Sequence, residues 1–264
     1  MNLPTKNAAG LPAVEFSEEQ KYLFDTRGWL LMPNALTAGE VEEMREFCVR
    51  LRTDKASIPI SERNSLGGPL IQLTDHPAVL GFMNEFVADP YGWGESAYGF
   101  RLENSFLAHK TMGDANFSPH GGHGLDSFGY NSHLYRQREG KVYAGLTRAV
   151  WELNPVKHGD GGTKFLTGSH KAAFETPAST QNENSPLWED YECPAGSVLF
   201  FTEAMTHTGS TWTNPDVDRY AIFNCYNSIG SRWHQWEPNS EQLASMSALR
   251  RSLFRQICCD RNMG

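Results

Sequence analysis

Long apolar runs, basic clusters and zinc-spaced cysteines are all missing from this chain of 264 residues. No apolar stretch approaches the ~18 residues of a membrane span, so no spanning helix is expected. The net charge of −8 and a pI of about 5.6, with no run of Lys or Arg, argue against nucleic acid or an anionic membrane as a partner. Residues 1–14 lack the basic flank and apolar centre of a signal peptide. The five cysteines (Cys48, Cys193, Cys225, Cys258 and Cys259) are odd in number and match no metal spacing. That pattern fits reduced thiols in a cytoplasmic protein. No repeat, low-complexity tract or linker interrupts the chain, and its length suits one domain.

The elements change character along the chain. Ser17-Glu18-Glu19-Gln20 and Thr37-Ala38-Gly39-Glu40 are capping boxes that open helices. Trp29 to Met32 reads as a buried strand between those helices, and Pro77 to Val87 as a third helix. From Arg101 the pattern is of short strands: Arg101 to His109, the stretch at His120, Val142 to Leu153, Thr163 to Leu166, Ser197 to Thr202 and Arg219 to Tyr226. Ser240 to Ile257 reads as a C-terminal helix. The order predicts an α+β fold with a central β-barrel or sandwich: a mainly helical part over 1–100, a β core over 101–230 and a closing helix over 231–264.

The chemistry concentrates in Ser118-Pro119-His120-Gly121-Gly122-His123-Gly124-Leu125-Asp126, in the distant Thr206-His207-Thr208-Gly209, and in Arg219 twelve residues after His207. Two histidines brought together by folding, one carboxylate and open positions make a non-haem iron site. The run Gly159-Asp160-Gly161-Gly162-Thr163-Lys164-Phe165-Leu166-Thr167-Gly168-Ser169-His170-Lys171, with Gly196-Ser197-Val198-Leu199-Phe200-Phe201 and the later His207 and Arg219, resembles the phytanoyl-CoA dioxygenase family of iron(II)- and 2-oxoglutarate-dependent oxygenases. The resemblance covers roughly residues 101–226. It implies a double-stranded β-helix (a jelly-roll, cupin-like barrel), iron ligation by His120 and His207, and an Arg219 fork on the far carboxylate of 2-oxoglutarate. A hydroxyl beside that arginine is Ser210 or Thr208, with nothing in the sequence to choose between them. His170 falls in the Gly-Ser-His turn, where the resemblance implies a structural role.

One piece is absent. The family pattern places a carboxylate two residues after the first histidine, on the same face of a strand. Here that position is Gly122. Asp126 could reach back as an alternative ligand; water or chloride could fill the place, as in related halogenases; or the barrel could be inactive. Three readings follow: an oxygenase that hydroxylates an aliphatic C–H of a small molecule with O2, releasing succinate and CO2; a radical halogenase of the same cofactor class; and a non-catalytic binding barrel. His123, His133, Tyr135, Arg136, Trp233 and His234 are candidate pocket residues, on the loop after the first ligand and after the last strand.

Overall fold

The computed structural model describes residues 3–89, 96–122, 133–138 and 140–257. Helix α1 (Glu18–Arg27) and helix α2 (Ala38–Thr53) both start on complete capping boxes, with Ser17 and Thr37 as caps. Gly28, at φ 83°, ends α1 in the left-handed region and turns the chain into strand β1 (Trp29–Met32). Helix α3 (Pro77–Phe86) has proline in its first turn, where no donor is lost.

Strands β1, β2 (Phe100–Lys110), β5 (Thr147–Glu152), β7 (Ser197–Thr202) and β9 (Arg219–Ser228) form one antiparallel sheet in the order β1-β7-β5-β9-β2. Two small sheets accompany it: β3 (Arg136–Arg138) with β4 (Lys141–Tyr143), and β6 (Thr163–Phe165) with β8 (His207–Gly209). The period of two along each strand gives the large sheet two chemically distinct faces. Ala149, Trp151, Val198, Phe200 and Ile222 pack with Phe24, Met44, Phe82 and Phe86 of the helices. Val150, Leu199, Phe201 and Ala221 point the other way, to Phe165, Tyr191 and Trp212 on the side of the small β6–β8 sheet. That second face also carries the even-numbered Arg148 and Glu152 of β5.

Two expectations are corrected. The segment expected as one C-terminal helix is instead two short ones, α4 (Ser240–Ser245) and α5 (Ala248–Arg251), followed by a 3-10 turn (Ser252–Phe254). Met246 is extended and Ser247 caps the Arg250 amide, so the backbone restarts rather than continuing. The His120 stretch, expected as a strand, makes only an isolated bridge to His207, because Gly121 and Gly122 both take positive φ. Among the described residues no helix is long and apolar enough to cross a membrane.

Candidate metal and cosubstrate site

The site lies where the chain leaves the large sheet. Strand β7 ends at Thr202, residues 203–206 turn, and His207 begins β8 in the small sheet. The turn is held by the Glu203 amide donating to the Leu146 carbonyl (2.8 Å) and the Met205 amide to the Thr202 carbonyl (3.1 Å). His120 meets His207 as a hydrogen-bonded antiparallel pair, with reciprocal N–H to C=O distances of 3.0 and 2.9 Å. Their ring centroids are 4.3 Å apart. His120 Nδ1 lies 2.7 Å from the Ser118 carbonyl, and His207 Nδ1 lies 2.8 Å from the Met205 carbonyl. A carbonyl only accepts, so each Nδ1 carries the proton and each Nε2 keeps a lone pair for a metal.

The third member is Glu203. Its Oε2 lies 3.4 Å from His207 Nε2, and ligand atoms of His120, Glu203 and His207 all fall within 4.8 Å of one another. Glu203 and His207 are buried and His120 is exposed, so the cluster opens to one side. Burial would raise the Glu203 carboxyl, but the Arg148 guanidinium and the neighbouring histidines outweigh it and bring it to about 2. Burial drives the His207 imidazole down to about 4, against the pull of Glu203, so it is neutral at ordinary pH. The sequence reading missed Glu203. Its signal, a buried acid four residues before the second histidine, falls across a turn where strand parity says nothing.

The vacancy expected at Gly122 is not there. An added Cβ would meet Thr206 Oγ1 at 2.3 Å, and one at Gly121 would meet the Met205 and Glu203 carbonyl oxygens at 2.6 and 2.7 Å. With φ near +77° at both glycines the alternation of an extended strand does not apply, so parity could not locate the carboxylate. Asp126 and His123 lie outside the described residues.

Arg219 is buried at the start of β9, its Nε and Nη2 directed to the Glu152 carboxylate and Nη2 also to the Tyr191 hydroxyl (3.2 Å). Glu152 is thus its partner, rather than the nearby Asp216 or Asp218; Asp218 pairs with His109. Directly across β2 from Arg219 stands Lys110. Its Nζ donates to Asn116 Oδ1 and to the Ser210 carbonyl (2.7 Å). Burial, then repulsion from Arg219, brings the Lys110 ammonium down to about 8. A cavity of about 150 Å3 joins these cations to the histidines, walled by Phe106, Phe201 and Phe223. Thr208 lines it, its hydroxyl accepting from the Ser118 amide, whereas the Ser210 hydroxyl donates to the Gly162 carbonyl.

The other candidates are dispersed. Tyr135 is buried against α1, donating to Asp25 and packing edge-on to His170. Arg136 is on exposed β3 and lines a separate groove with Phe86 and Tyr143. His133 meets Trp233 edge-to-face at 4.5 Å. The Trp233 amide donates to the buried Glu103 carboxylate, and His234 Nδ1 lies 3.4 Å from it. His170 is the buried residue of a 3-10 turn (Ser169–Lys171), Nε2 toward the Asp25 carbonyl.

Mixed antiparallel sheets around a histidine–carboxylate cluster with a cationic recess define a non-haem iron oxygenase that uses 2-oxoglutarate. A family model for phytanoyl-CoA dioxygenase matches residues 24–221, and the chain belongs to that family. No curated protein sequence matches it. Among solved structures, HygX from Streptomyces hygroscopicus is similar in its apo form at 24% identity, covering 85% of this chain and 90% of that one, with a TM-score of 0.64. HygX with nickel, 2-oxoglutarate and hygromycin B bound gives 22% identity, coverages of 84% and 90%, and a TM-score of 0.65. The non-heme alpha ketoglutarate dependent carbocyclase SnoK, from nogalamycin biosynthesis, gives 15% identity, coverages of 93% and 95%, and a TM-score of 0.59.

Proposed function

We propose that this chain, as one domain over residues 1–264 with its sheets forming a double-stranded β-helix, is an oxygenase that holds iron(II) on His120, Glu203 and His207 and oxidises an aliphatic C–H of a small organic substrate. The observation that carries this reading is the cluster itself: two imidazoles whose Nδ1 protons are fixed by backbone carbonyls, beside a carboxylate held ionised. Neutral histidine and ionised carboxylate are the donor types that suit iron(II). Iron with 2-oxoglutarate and O2 supplies the oxidising power: the substrate gains one oxygen atom as hydroxyl, and 2-oxoglutarate becomes succinate and CO2 with the other.

The chain's own residues do the rest. Arg219 and Lys110 receive the far carboxylate of 2-oxoglutarate. Arg219 alone is neutralised by Glu152, and Lys110 restores a net positive charge where an anion must be desolvated. Like charges directly opposite on paired strands are unfavourable unless an anion lies between them. Thr208, on the wall, is the better placed of the two hydroxyls. Phe106, Phe201 and Phe223 limit water at the cluster. The small-molecule reading of the substrate is supported by the hygromycin B in HygX and the nogalamycin RO in SnoN, two similar structures. Chlorination loses its premise, because the space beside Gly122 is occupied by Thr206.

Anaerobic titration of the protein with iron(II) and 2-oxoglutarate tests the reading. A weak visible charge-transfer band is expected in the parent and not in His207→Ala or Glu203→Gln, with all three still folded by circular dichroism. A folded parent without the band at saturating iron would leave a binding barrel as the better description. A Glu203→Gln variant with an unaltered band would remove Glu203 from the metal.

A further inference from the structure

Arg148 is the least explained charge at the site. It sits on β5 with its side chain toward the small sheet, and its Nε donates to Glu203 Oε1. The other oxygen of that carboxylate, Oε2, is the one facing His207. Arg148 is packed in place: its guanidinium lies over the Phe106 ring at 5.7 Å, and Phe106 stacks on Phe223 at 4.8 Å. Its Nη1 is buried with no hydrogen-bond partner among the described residues, so the side chain is held by Glu203 and by ring packing rather than by a wider polar network. The backbone of Glu203 is pinned as well, through its amide to Leu146.

A carboxylate can bind a metal through one oxygen or chelate it through both. The choice matters here because 2-oxoglutarate itself chelates and O2 needs a further position. A chelating Glu203 would take one of those positions. We propose that Arg148 is a positioning residue that reserves Glu203 Oε1 for itself, so that Glu203 presents a single oxygen to the metal. This inference rests on the metal reading above. It assigns Arg148 no contact with substrate: the guanidinium acts by fixing the orientation and denticity of the carboxylate, as outer-shell partners of metal ligands do.

Nickel(II), which does not turn over, serves as the probe. The parent, Arg148→Gln and Arg148→Lys are titrated by calorimetry, first with Ni(II) and then, nickel-loaded, with 2-oxoglutarate; nickel-loaded parent and Arg148→Gln are crystallised. In Arg148→Gln the freed Glu203 oxygen joins the metal and offsets the lost orientation, so Ni(II) affinity is expected to stay within a few-fold of the parent. The cost of about tenfold or more, usual for an outer-shell partner, then falls on 2-oxoglutarate affinity. Both Glu203 oxygens should then lie on the metal, against one in the parent. Arg148→Lys keeps the charge without the rigid fork and should lose cosubstrate affinity by a smaller factor. If Arg148→Gln folds only with Ni(II) present, it is prepared that way and the crystal structure decides. A merely structural role would lower both affinities together, and that result overturns the proposal. So does Glu203 bound through one oxygen in nickel-loaded Arg148→Gln. A parent that takes up no Ni(II) overturns the metal reading itself, whereas a parent that loads beside an indistinguishable Arg148→Gln overturns only this inference.

Discussion

Lys110 and Arg219 face one another across paired strands with Glu152 as the acid between their chemistries. The charge count there is set by one titrating group, because Lys110 is brought to about 8 whereas Arg219 is held charged by Glu152. A dianionic cosubstrate should bind best while Lys110 carries its proton, below about pH 8, and weaken as pH rises through that value. Calorimetric titration of the metal-loaded protein with 2-oxoglutarate between pH 7 and 9.5 should show a loss of roughly tenfold, about 1.4 kcal/mol. Lys110→Met should start weak and stay flat over that range. A parent with no pH dependence would take Lys110 out of the recess. At this scale the sequence marks His120, His207 and Arg219 through the motifs around them, and the fold brings all three to one cavity. The sequence was not legible for Glu203 or Lys110. An acid beyond a strand end and a lysine at a strand's last residue look the same in one sequence whether they face solvent or a site.

The elements were easier to read where local chemistry defines them. Both capping boxes open helices, β7 spans Ser197–Thr202 as its apolar run requires, and β1 stops before Pro33. The stretch after Ser240 misled because Leu243, Met246 and Leu249 keep helical spacing across a serine-rich break, and the capping serine won. The Gly-Ser-His turn is a second legible element, and it docks on α1: His170 Nε2 donates to the Asp25 carbonyl, and Tyr135 and Lys171 reach the Asp25 carboxylate. His170 Nδ1 is buried with no acceptor among the described residues, so a proton there would be a donor with nowhere to go. Burial accordingly lowers the His170 imidazole to about 4. The unfolded chain takes up a proton near pH 6.5 that the folded chain refuses, so this contribution is full above pH 6.5 and is lost as pH falls toward 4. The difference in proton affinity between the two states corresponds to at most roughly 3 kcal/mol. Urea unfolding at pH 7 and pH 4.5 checks it: His170→Gln should be less stable than the parent at pH 7 yet lose less on acidification. An identical loss in both would place the acid sensitivity elsewhere.

For the whole molecule, the sequence order of strands and helices predicted the α+β class, but not the sheet order β1-β7-β5-β9-β2. That order depends on pairings between residues far apart in the chain, which no local pattern encodes. Its result is that β5 runs through the middle of the sheet with Arg148 near one end and Glu152 at the other, four residues apart on one face. Arg148 belongs to Glu203 and the histidines, and Glu152 to Arg219. The two ends of the recess are therefore fixed to a single strand whose pitch, about 3.3 Å per residue, sets their separation at roughly 13 Å between backbone positions. A strand cannot stretch, so in the proposed binding mode β5 is a gauge for the length of a diacid held between metal and cations. 2-Oxoadipate, one methylene longer, should have to buckle or lose one of its anchors. In competition calorimetry on the nickel-loaded protein it is expected to bind at least about tenfold more weakly than 2-oxoglutarate, although it carries the same charges. Equal affinity would mean that the recess yields, and that the distance ruled off along β5 does not choose the cosubstrate.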